Sequence, residues 1–301
     1  MISAARAARL KRLLDPLVLS TAPERALAIA RDPVEAPRRY AAPADQEVAG
    51  LLAAALAYGR ADIFKPRLLA LLAEMGPSPA AFVRRFDPRR DGSRFAGFAY
   101  RFHLPGDVGA LLCGAGATLR DHGSLGARFA ALLAGEGALQ PALGAFAREL
   151  RERGAALAGD AMGPARALDH LLPDASRGAA CKRLVLYLRW MVRKDEVDLG
   201  AWAGLVPRSA LVVPLDTHVS RLSLLLGLTG RRDLSWRTAL EITGALRRLD
   251  PDDPVRYDFA LCHLGMSGAC PARRRPENCA RCPLAGECGA GRRLRRAAGA
   301  R

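Results

Sequence analysis

Lysine and acidic residues are both scarce in this sequence. Among 301 residues there are 46 Lys and Arg against 30 Asp and Glu, and four of the 46 are lysines. No apolar run approaches the roughly 18 residues of a membrane span, which argues against an integral membrane protein. The first residues scatter Arg6, Arg9, Lys11 and Arg12 instead of showing a signal peptide's charge-then-apolar order. We therefore predict a cytoplasmic protein without a membrane partner.

The abundant residues are arginine and apolar ones. The net charge is +16 with a sequence pI near 10.5, while hydrophobic residues make up 50% of the chain, as in ordinary globular proteins. Such an excess of positive charge favours a polyanionic partner, and nucleic acid is the leading candidate. A bias of the genome toward Ala and Arg is the alternative explanation of the same charge.

Apolar residues recur mainly at helical spacing. One series is Val48, Leu51, Leu52, Ala55 and Leu56, and sustained strand alternation is absent. Proline and glycine divide the chain into roughly ten segments of ordinary helix length. We predict an all-α protein, with a mobile basic tail after the last cysteine.

Four of the seven cysteines are crowded into nineteen residues, which we call the cysteine loop (270–288). Eight, two and five residues separate them. This crowding indicates a metal site in a reducing compartment rather than disulfides. A structural zinc ion is usually bound by two pairs of ligands that are close in the sequence. The uneven spacing here therefore favours a 4Fe-4S cluster, with zinc as the alternative. The predicted ligands are Cys270, Cys279, Cys282 and Cys288. Cys113, Cys181 and Cys262 are interpreted as small core residues.

The cysteine loop, CPARRRPENCARCPLAGEC, resembles the C-terminal iron–sulfur loop of the endonuclease III and adenine glycosylase enzymes. Their pattern has six, two and five intervening residues, so the first gap here is wider. The wider gap carries Arg273, Arg274 and Arg275. We expect these three arginines to contact DNA phosphate. A solvated charged surface is the alternative.

Two upstream segments extend the resemblance. PLDTHVSRL is similar to the endonuclease III motif in which an aspartate, here Asp216, opens a helix after the helix-hairpin-helix. The stretch before CKRL resembles the hairpin, with Gly178 at its turn in contact with DNA. Lys182 then matches the Schiff-base lysine of the bifunctional glycosylases, and Asp216 the catalytic carboxylate. His218 and Arg221 follow on the Asp216 helix and are expected to reach phosphate.

The segment LAYGRAD resembles the position at which endonuclease III fills the gap left by a flipped base. There Tyr58 would stack and Arg60 would contact the orphaned base or a phosphate. The chain is also similar to a bacterial family without an assigned function. Five segments carry this similarity: LAYGRAD, CKRL, LRWMVRKDEVDLG, PLDTHV and YDFALCHLGM. That family lies within the helix-hairpin-helix (HhH-GPD) DNA glycosylase superfamily.

The chemistry of these residue types agrees with the resemblance. Release of a base builds positive charge at C1′, which a carboxylate stabilises, and an unprotonated amine can then attack to form a Schiff base. Arginine cannot be deprotonated, so the lysine is informative. We expect the helix N-terminus to lower the basicity of Lys182. The alternatives are a surface lysine and a purely structural N-cap at Asp216.

The resemblance implies a two-lobed helix-hairpin-helix glycosylase fold with a C-terminal iron–sulfur loop. Residues 45–195 would form a helical barrel lobe that ends in the hairpin, and residues 1–44 with 196–301 the second lobe. We predict a monomeric base-excision glycosylase with AP lyase activity, acting on duplex DNA with a damaged or modified base. The alternative is a non-catalytic nucleic-acid-binding protein stabilised by an iron–sulfur or zinc site.

Overall fold

A computed structural model describes residues 2–18, 22–273 and 275–299. Within these ranges the chain is mostly helical, and its only β-type pairings are three isolated bridges. The all-α prediction is therefore confirmed. The expected number of helices is wrong, because the described residues form sixteen α-helices. Several of them are short helices of four or five residues, which lack a full apolar period and so leave little signal in the sequence.

In chain order the helices are α1 (Ala4–Val18), α2 (Ala22–Arg31), α3 (Pro43–Leu56), α4 (Ala61–Met75), α5 (Pro79–Arg85), α6 (Pro88–Asp91), α7 (Pro105–His122), α8 (Leu125–Glu136), α9 (Leu139–Ala158), α10 (Leu168–Leu171), α11 (Lys182–Val192), α12 (Thr217–Leu226), α13 (Trp236–Arg247), α14 (Asp258–Met266), α15 (Pro276–Ala280) and α16 (Gly289–Gly299). The connections between the helices differ in length, and the longest, residues 193–216, separates α11 from α12. None of these helices has the length and hydropathy needed to cross a membrane.

The chain divides into two compact units. The central unit comprises residues 29–177 and 186–207, and the terminal unit comprises 1–28, 178–185 and 208–301. The division differs from the boundaries at 45 and 195 that the sequence suggested. In particular, Gly178 and the first turn of α11 belong to the terminal unit, together with Asp216 and the cysteine loop. Lys182 and Asp216 therefore lie in the same unit.

The core of the central unit is built on α7 and α9, which pack along each other. Two glycines permit the close approach. A Cβ at Gly114 would lie 2.2 Å from the Leu150 carbonyl oxygen, and one at Gly154 would lie 2.1 Å from that of Ala110. The two backbones are therefore in direct contact, and any larger residue at either position would push the helices apart.

Two arginines and one aspartate form a buried ionic cluster in the central unit. Arg189, on α11, donates from Nε and Nη2 to Asp198 Oδ1 at 3.1 and 2.9 Å. Arg193 donates to Oδ2 of the same carboxylate. The three side chains are at most 6% exposed. Hydrogen bonds from both guanidinium groups allow the Asp198 carboxylate to stay ionised away from water.

In the terminal unit, α12 and α1 both pack against α14. Arg6 of α1 donates to the Leu226 carbonyl at the end of α12 at 2.6 Å, and Arg9 donates to the Glu287 carboxylate at 2.5 Å. The tail after Cys288 is basic, and its mobility stays a prediction. The tail forms α16, which packs against α12, α15 and the 3-10 turn Pro283–Gly286.

Candidate functional site

The segment before Lys182 is fastened to the start of α13. Gly178 has a φ of +87°, in the left-handed region that favours glycine. Its carbonyl accepts the N–H of Trp236 at 2.9 Å, and Ala179 forms a bridge with Ser235, the N-cap of α13. Lys182 is then the first residue of α11. A glycine turn followed by a helix-opening lysine is therefore confirmed as the local structure, although no DNA contact of Gly178 is tested.

Asp216 is the N-cap of α12, as its sequence position predicted. Its Oδ1 accepts the N–H of Val219 at 2.8 Å, and its backbone is extended. The side chain is 12% exposed. Burial raises the pKa of Asp216, but the Lys182 ammonium and the Val219 N–H outweigh burial, so the pKa lies below its ordinary value. Asp216 is therefore a carboxylate of fixed direction that stays ionised at neutral pH.

Lys182 forms an ion pair with that carboxylate: its Nζ lies 3.1 Å from Asp216 Oδ2. Burial lowers the pKa of Lys182, but the charges of Asp216, Cys262 and Asp258 outweigh it and hold the pKa above its ordinary value. The expected loss of basicity is thus wrong for this arrangement. A full negative charge in contact with the amine acts more strongly than the partial charge at a helix end. Lys182 is an ammonium ion at neutral pH.

Two residues of α14 complete the surroundings of this pair, and the sequence interpretation missed both. Cys262 Sγ lies 3.6 Å from Asp216 Oδ2, the oxygen that also faces Lys182. Asp258, one turn earlier on α14, is 2% exposed, and its charge raises the pKa of Lys182. The interpretation of Cys262 as a core residue is wrong, because it is half-buried beside the carboxylate. Their spacing of four within YDFALCHLGM was the available signal.

The two residues of α12 expected to reach phosphate have other contacts. His218 packs against α14, since a Cβ at Gly265 would lie 2.9 Å from both its Cβ and its Nδ1. Arg221 donates to Cys270 Sγ at 3.4 Å, to the Cys270 carbonyl at 2.5 Å and to the Pro271 carbonyl at 3.2 Å. The structure thus directs the Arg221 guanidinium to the cysteine loop.

The four cysteines of the cysteine loop line one small cavity of about 30 Å³. Burial raises the pKa of the Cys282 thiol, and the charges of Cys270, Cys288 and Cys279 act in the same direction. Asn278 Nδ2 closes the loop by donating to the Gly268 carbonyl at 2.9 Å. All four cysteines therefore line the same cavity, in keeping with their crowding in the sequence.

These thiols are spread around the cavity and do not meet at one point. Over the described ranges, no three His, Cys, Asp or Glu side chains are close enough to hold a single metal ion. A tetrahedral zinc site would need four sulfurs about 2.3 Å from one centre. Four cysteine thiolates are a donor set that both structural zinc and iron–sulfur clusters use.

The arginines of the widened gap are only partly described. Arg273 and Arg275 are exposed, and Arg275 also precedes α15 and lines the cavity of the cysteine loop. Arg274 lies outside the described residues. The exposed position of Arg273 and Arg275 agrees both with a phosphate contact and with a solvated surface.

Tyr58 and Arg60 belong to the central unit and not to the unit of Lys182. The Tyr58 ring lies 4.7 Å from the rings of Tyr100 and His170, within a half-buried aromatic cluster. Arg60 is 77% exposed and pairs with Asp62 at 2.6 Å. Phe102 belongs to the same cluster and is 54% exposed, a feature without any clear sequence signal.

Comparison with known proteins places the chain in one family. A family model described as "Protein of unknown function (DUF2400)" matches residues 32–267. The matched span includes Lys182, Asp216, Asp258 and Cys262 and ends just before the cysteine loop. No curated protein and no solved structure matches the chain. Since the match covers more than half of its length, the chain belongs to the DUF2400 family of proteins of unknown function.

Proposed function

We propose that this protein is a DNA glycosylase with AP lyase activity, which acts through a Schiff base on Lys182. One observation carries the proposal: Lys182 Nζ and Asp216 Oδ2, from the starts of two different helices, lie 3.1 Å apart. An amine and a carboxylate are the two groups that the reaction needs. The Lys182 side chain is 39% exposed, so a substrate can reach it without unfolding of the site.

Asp216 would act during base release. As the C1′–N bond breaks, the base leaves with the electron pair and C1′ becomes positively charged. The Val219 N–H holds Asp216 Oδ1, so Oδ2 is directed toward the reacting amine and the carbon beside it. Because the pKa of Asp216 is lowered, the carboxylate stays charged and can stabilise that carbon electrostatically.

Lys182 would act in the lyase step, after losing its proton. Asp216 Oδ2 orients the amine from 3.1 Å, and the departing base, which leaves with the electron pair of the broken bond, takes the proton. The neutral amine attacks C1′ and forms a C–N bond. The bond from C1′ to the ring oxygen then breaks, the oxygen takes the electron pair, and loss of an N–H proton gives the imine. Removal of a C2′ proton expels the 3′-phosphate and cleaves the strand.

The cysteine loop would hold a 4Fe-4S cluster through Cys270, Cys279, Cys282 and Cys288. Bound there, the cluster would supply structural cross-linking of the loop. Two features support this fit: the cavity that all four cysteines line, and the donation of Arg221 to Cys270 Sγ. Broad absorbance near about 400 nm and iron in elemental analysis are expected. Zinc without iron in anaerobically purified protein would contradict the assignment.

The alternative function is nucleic-acid binding without catalysis. The ion pair itself favours this candidate, because a purely structural Lys182–Asp216 pair would also have a raised lysine pKa. The two functions differ in covalent chemistry. A binding protein would retain affinity for DNA without releasing a base or forming an adduct.

The test is borohydride trapping with the full-length protein. Duplex oligonucleotides that each carry one damaged base, modified base or abasic site are incubated with sodium borohydride. We expect a covalent adduct and a strand nick on at least one duplex, and neither with Lys182→Gln. Lys194→Gln, at another exposed lysine, is the matched control and should still trap. DNA binding without base release or adduct on every duplex would favour the binding protein.

A further inference from the structure

α16 is a basic helix that packs against the cysteine loop. Ala290 and Gly291 are buried and Leu294 is half-buried, so these residues form its inner face. A Cβ at Gly291 would lie 2.3 Å from the Ala285 carbonyl oxygen, so the two backbones touch. The outer face carries four exposed arginines, Arg292, Arg293, Arg295 and Arg296.

These four guanidinium groups have no partner in the described part of the chain. None of them forms an ion pair, a side-chain hydrogen bond or a ring contact there. Glu287, the acidic residue just before the helix, already pairs with Arg6 and Arg9. Arginines three and four positions apart on one helix repel each other. A site that concentrates uncompensated charge in this way is suited to an anionic partner.

We propose that the outer face of α16 docks the phosphate backbone of nucleic acid. This inference rests on the proposed function insofar as it takes nucleic acid to be the partner. Arg292 and Arg296 lie about 6 Å apart along the helix axis. That length corresponds to the rise of about two phosphates on one DNA strand. Guanidinium groups bind phosphate through paired hydrogen bonds, which favours a phosphate partner over other anions.

The packing of α16 argues against a lipid membrane as the partner. A basic amphipathic helix binds a bilayer by inserting its apolar face. Here that face, with Ala290 and Gly291 buried, is already covered by the 3-10 turn Pro283–Gly286. Only the charged face is available, so binding should be electrostatic and sensitive to salt.

The test compares two variants of the full-length protein that lose the same charge. One changes the four arginines of α16 to Gln. The control changes four exposed arginines of the central unit that likewise lack side-chain partners, namely Arg31, Arg85, Arg89 and Arg166. Binding to an undamaged duplex is measured between about 50 and 200 mM salt. Far-UV circular dichroism and iron content verify that both variants keep the wild-type fold.

Each phosphate contact contributes about 0.9 to the slope of log affinity against log salt. We expect the slope of the α16 variant to be smaller in magnitude than that of wild type by about two to four. The slope of the control variant should decrease by less than half of that amount. Equal losses in the two variants, or an unchanged slope for α16, would overturn the proposal. So would tighter α16-dependent binding to vesicles of anionic phospholipid than to the duplex.

The borohydride experiment separates this inference from the proposed function. A reduced salt slope in the α16 variant, with no adduct from wild-type protein on any lesion, would leave the docking surface standing and reject the glycosylase. An adduct with an unaltered slope would reject the docking surface and leave the glycosylase standing.

Discussion

Asp198 and Asp216 are two ion-paired aspartates in different units, and they differ in burial and in the type of cation that they pair with. Asp198, in the central unit, is fully buried between Arg189 and Arg193. Asp216, in the terminal unit, is 12% exposed and pairs with a lysine whose side chain is 39% exposed. Both cations, Lys182 and Arg189, lie on α11. The difference teaches that the type of cation and its access to solvent separate a structural pair from a reactive one.

The two cations differ in the one property that covalent chemistry needs. A guanidinium group keeps its proton at any pH that a protein experiences, so the Asp198 cluster can only hold the fold together. An amine can lose its proton, and the Asp216 carboxylate orients the Lys182 amine from 3.1 Å. Four predictions test whether this contrast is correct.

The largest expected effect is on the covalent step. Lys182→Arg keeps the positive charge beside Asp216 but removes the group that can be deprotonated. Borohydride adducts and strand nicking should disappear, while the midpoint of denaturant unfolding stays close to that of wild type. Gel analysis of trapped complexes measures the first result. Adduct formation by Lys182→Arg would place the nucleophile elsewhere, with Lys194 the next candidate.

The second expected effect is a loss of stability, which should follow from disruption of the buried Asp198 cluster and not from changes at the Lys182–Asp216 pair. Asp198→Ala removes the carboxylate that Arg189 and Arg193 share, while Arg193 keeps its ion pair with Asp195 at 2.8 Å. We expect a loss of about 3–5 kcal/mol in the free energy of unfolding. Urea unfolding followed by circular dichroism measures it. A loss below about 1 kcal/mol would show that water or another group replaces the carboxylate, and the contrast would fail.

The third effect concerns Asp216. Asp216→Asn keeps an oxygen to cap α12 but removes the charge that stabilises C1′. Base release should fall by about two orders of magnitude, which is the usual cost of losing one electrostatic contact to a transition state. Stability should change by no more than about 1 kcal/mol. Single-turnover base release on a lesion duplex is the measurement, and undiminished release would return Asp216 to a purely structural cap.

The smallest effect is the pH dependence of the Lys182–Asp216 pair. Folding lowers the pKa of Asp216. The contribution of this carboxylate to the free energy of unfolding is therefore present above its unfolded pKa of about 3.9 and is lost as the pH falls below that value. Folding raises the pKa of Lys182. The contribution of this ammonium group to the free energy of unfolding is therefore present below its unfolded pKa of about 10.4 and is lost as the pH rises through the higher pKa of the folded protein.

The measurement is the stability difference between wild type and Lys182→Gln as a function of pH. It should be constant between about pH 5 and 9 and shrink outside that window. Solvent screening at the exposed lysine keeps the difference small. A difference that varies within the window would mean that another titrating group controls the pair.

Local features of the site were predictable from the sequence. A glycine turn before Lys182 and an N-cap at Asp216 depend on neighbouring residues, and the structure confirms both. The same holds for the crowded cysteines, which line one cavity. Composition and periodicity sufficed for the all-α class, because the apolar spacing of long helices is a local property.

Features that depend on residues far apart in the chain were not predictable. Cys262 and Asp258 reach the site because α14 packs on α12, and their charges add to that of Asp216 in raising the pKa of Lys182. Arg221 turns toward the cysteine loop for a similar reason, since the loop lies beside α12. The basic tail packs as a helix because Gly291 allows its backbone to touch the loop.

The sequence by itself determined the helical class, the helix starts at Lys182 and Asp216, and the gathering of four cysteines, because each follows from short-range backbone and side-chain preferences. Only the tertiary structure decided that Lys182 and Asp216 meet as an ion pair, that the amine is more basic than a free lysine, and that four arginines of α16 face outward without partners among the described residues. Electrostatic interactions depend on distances in space, and residues far apart in the chain acquire those distances only when the helices pack.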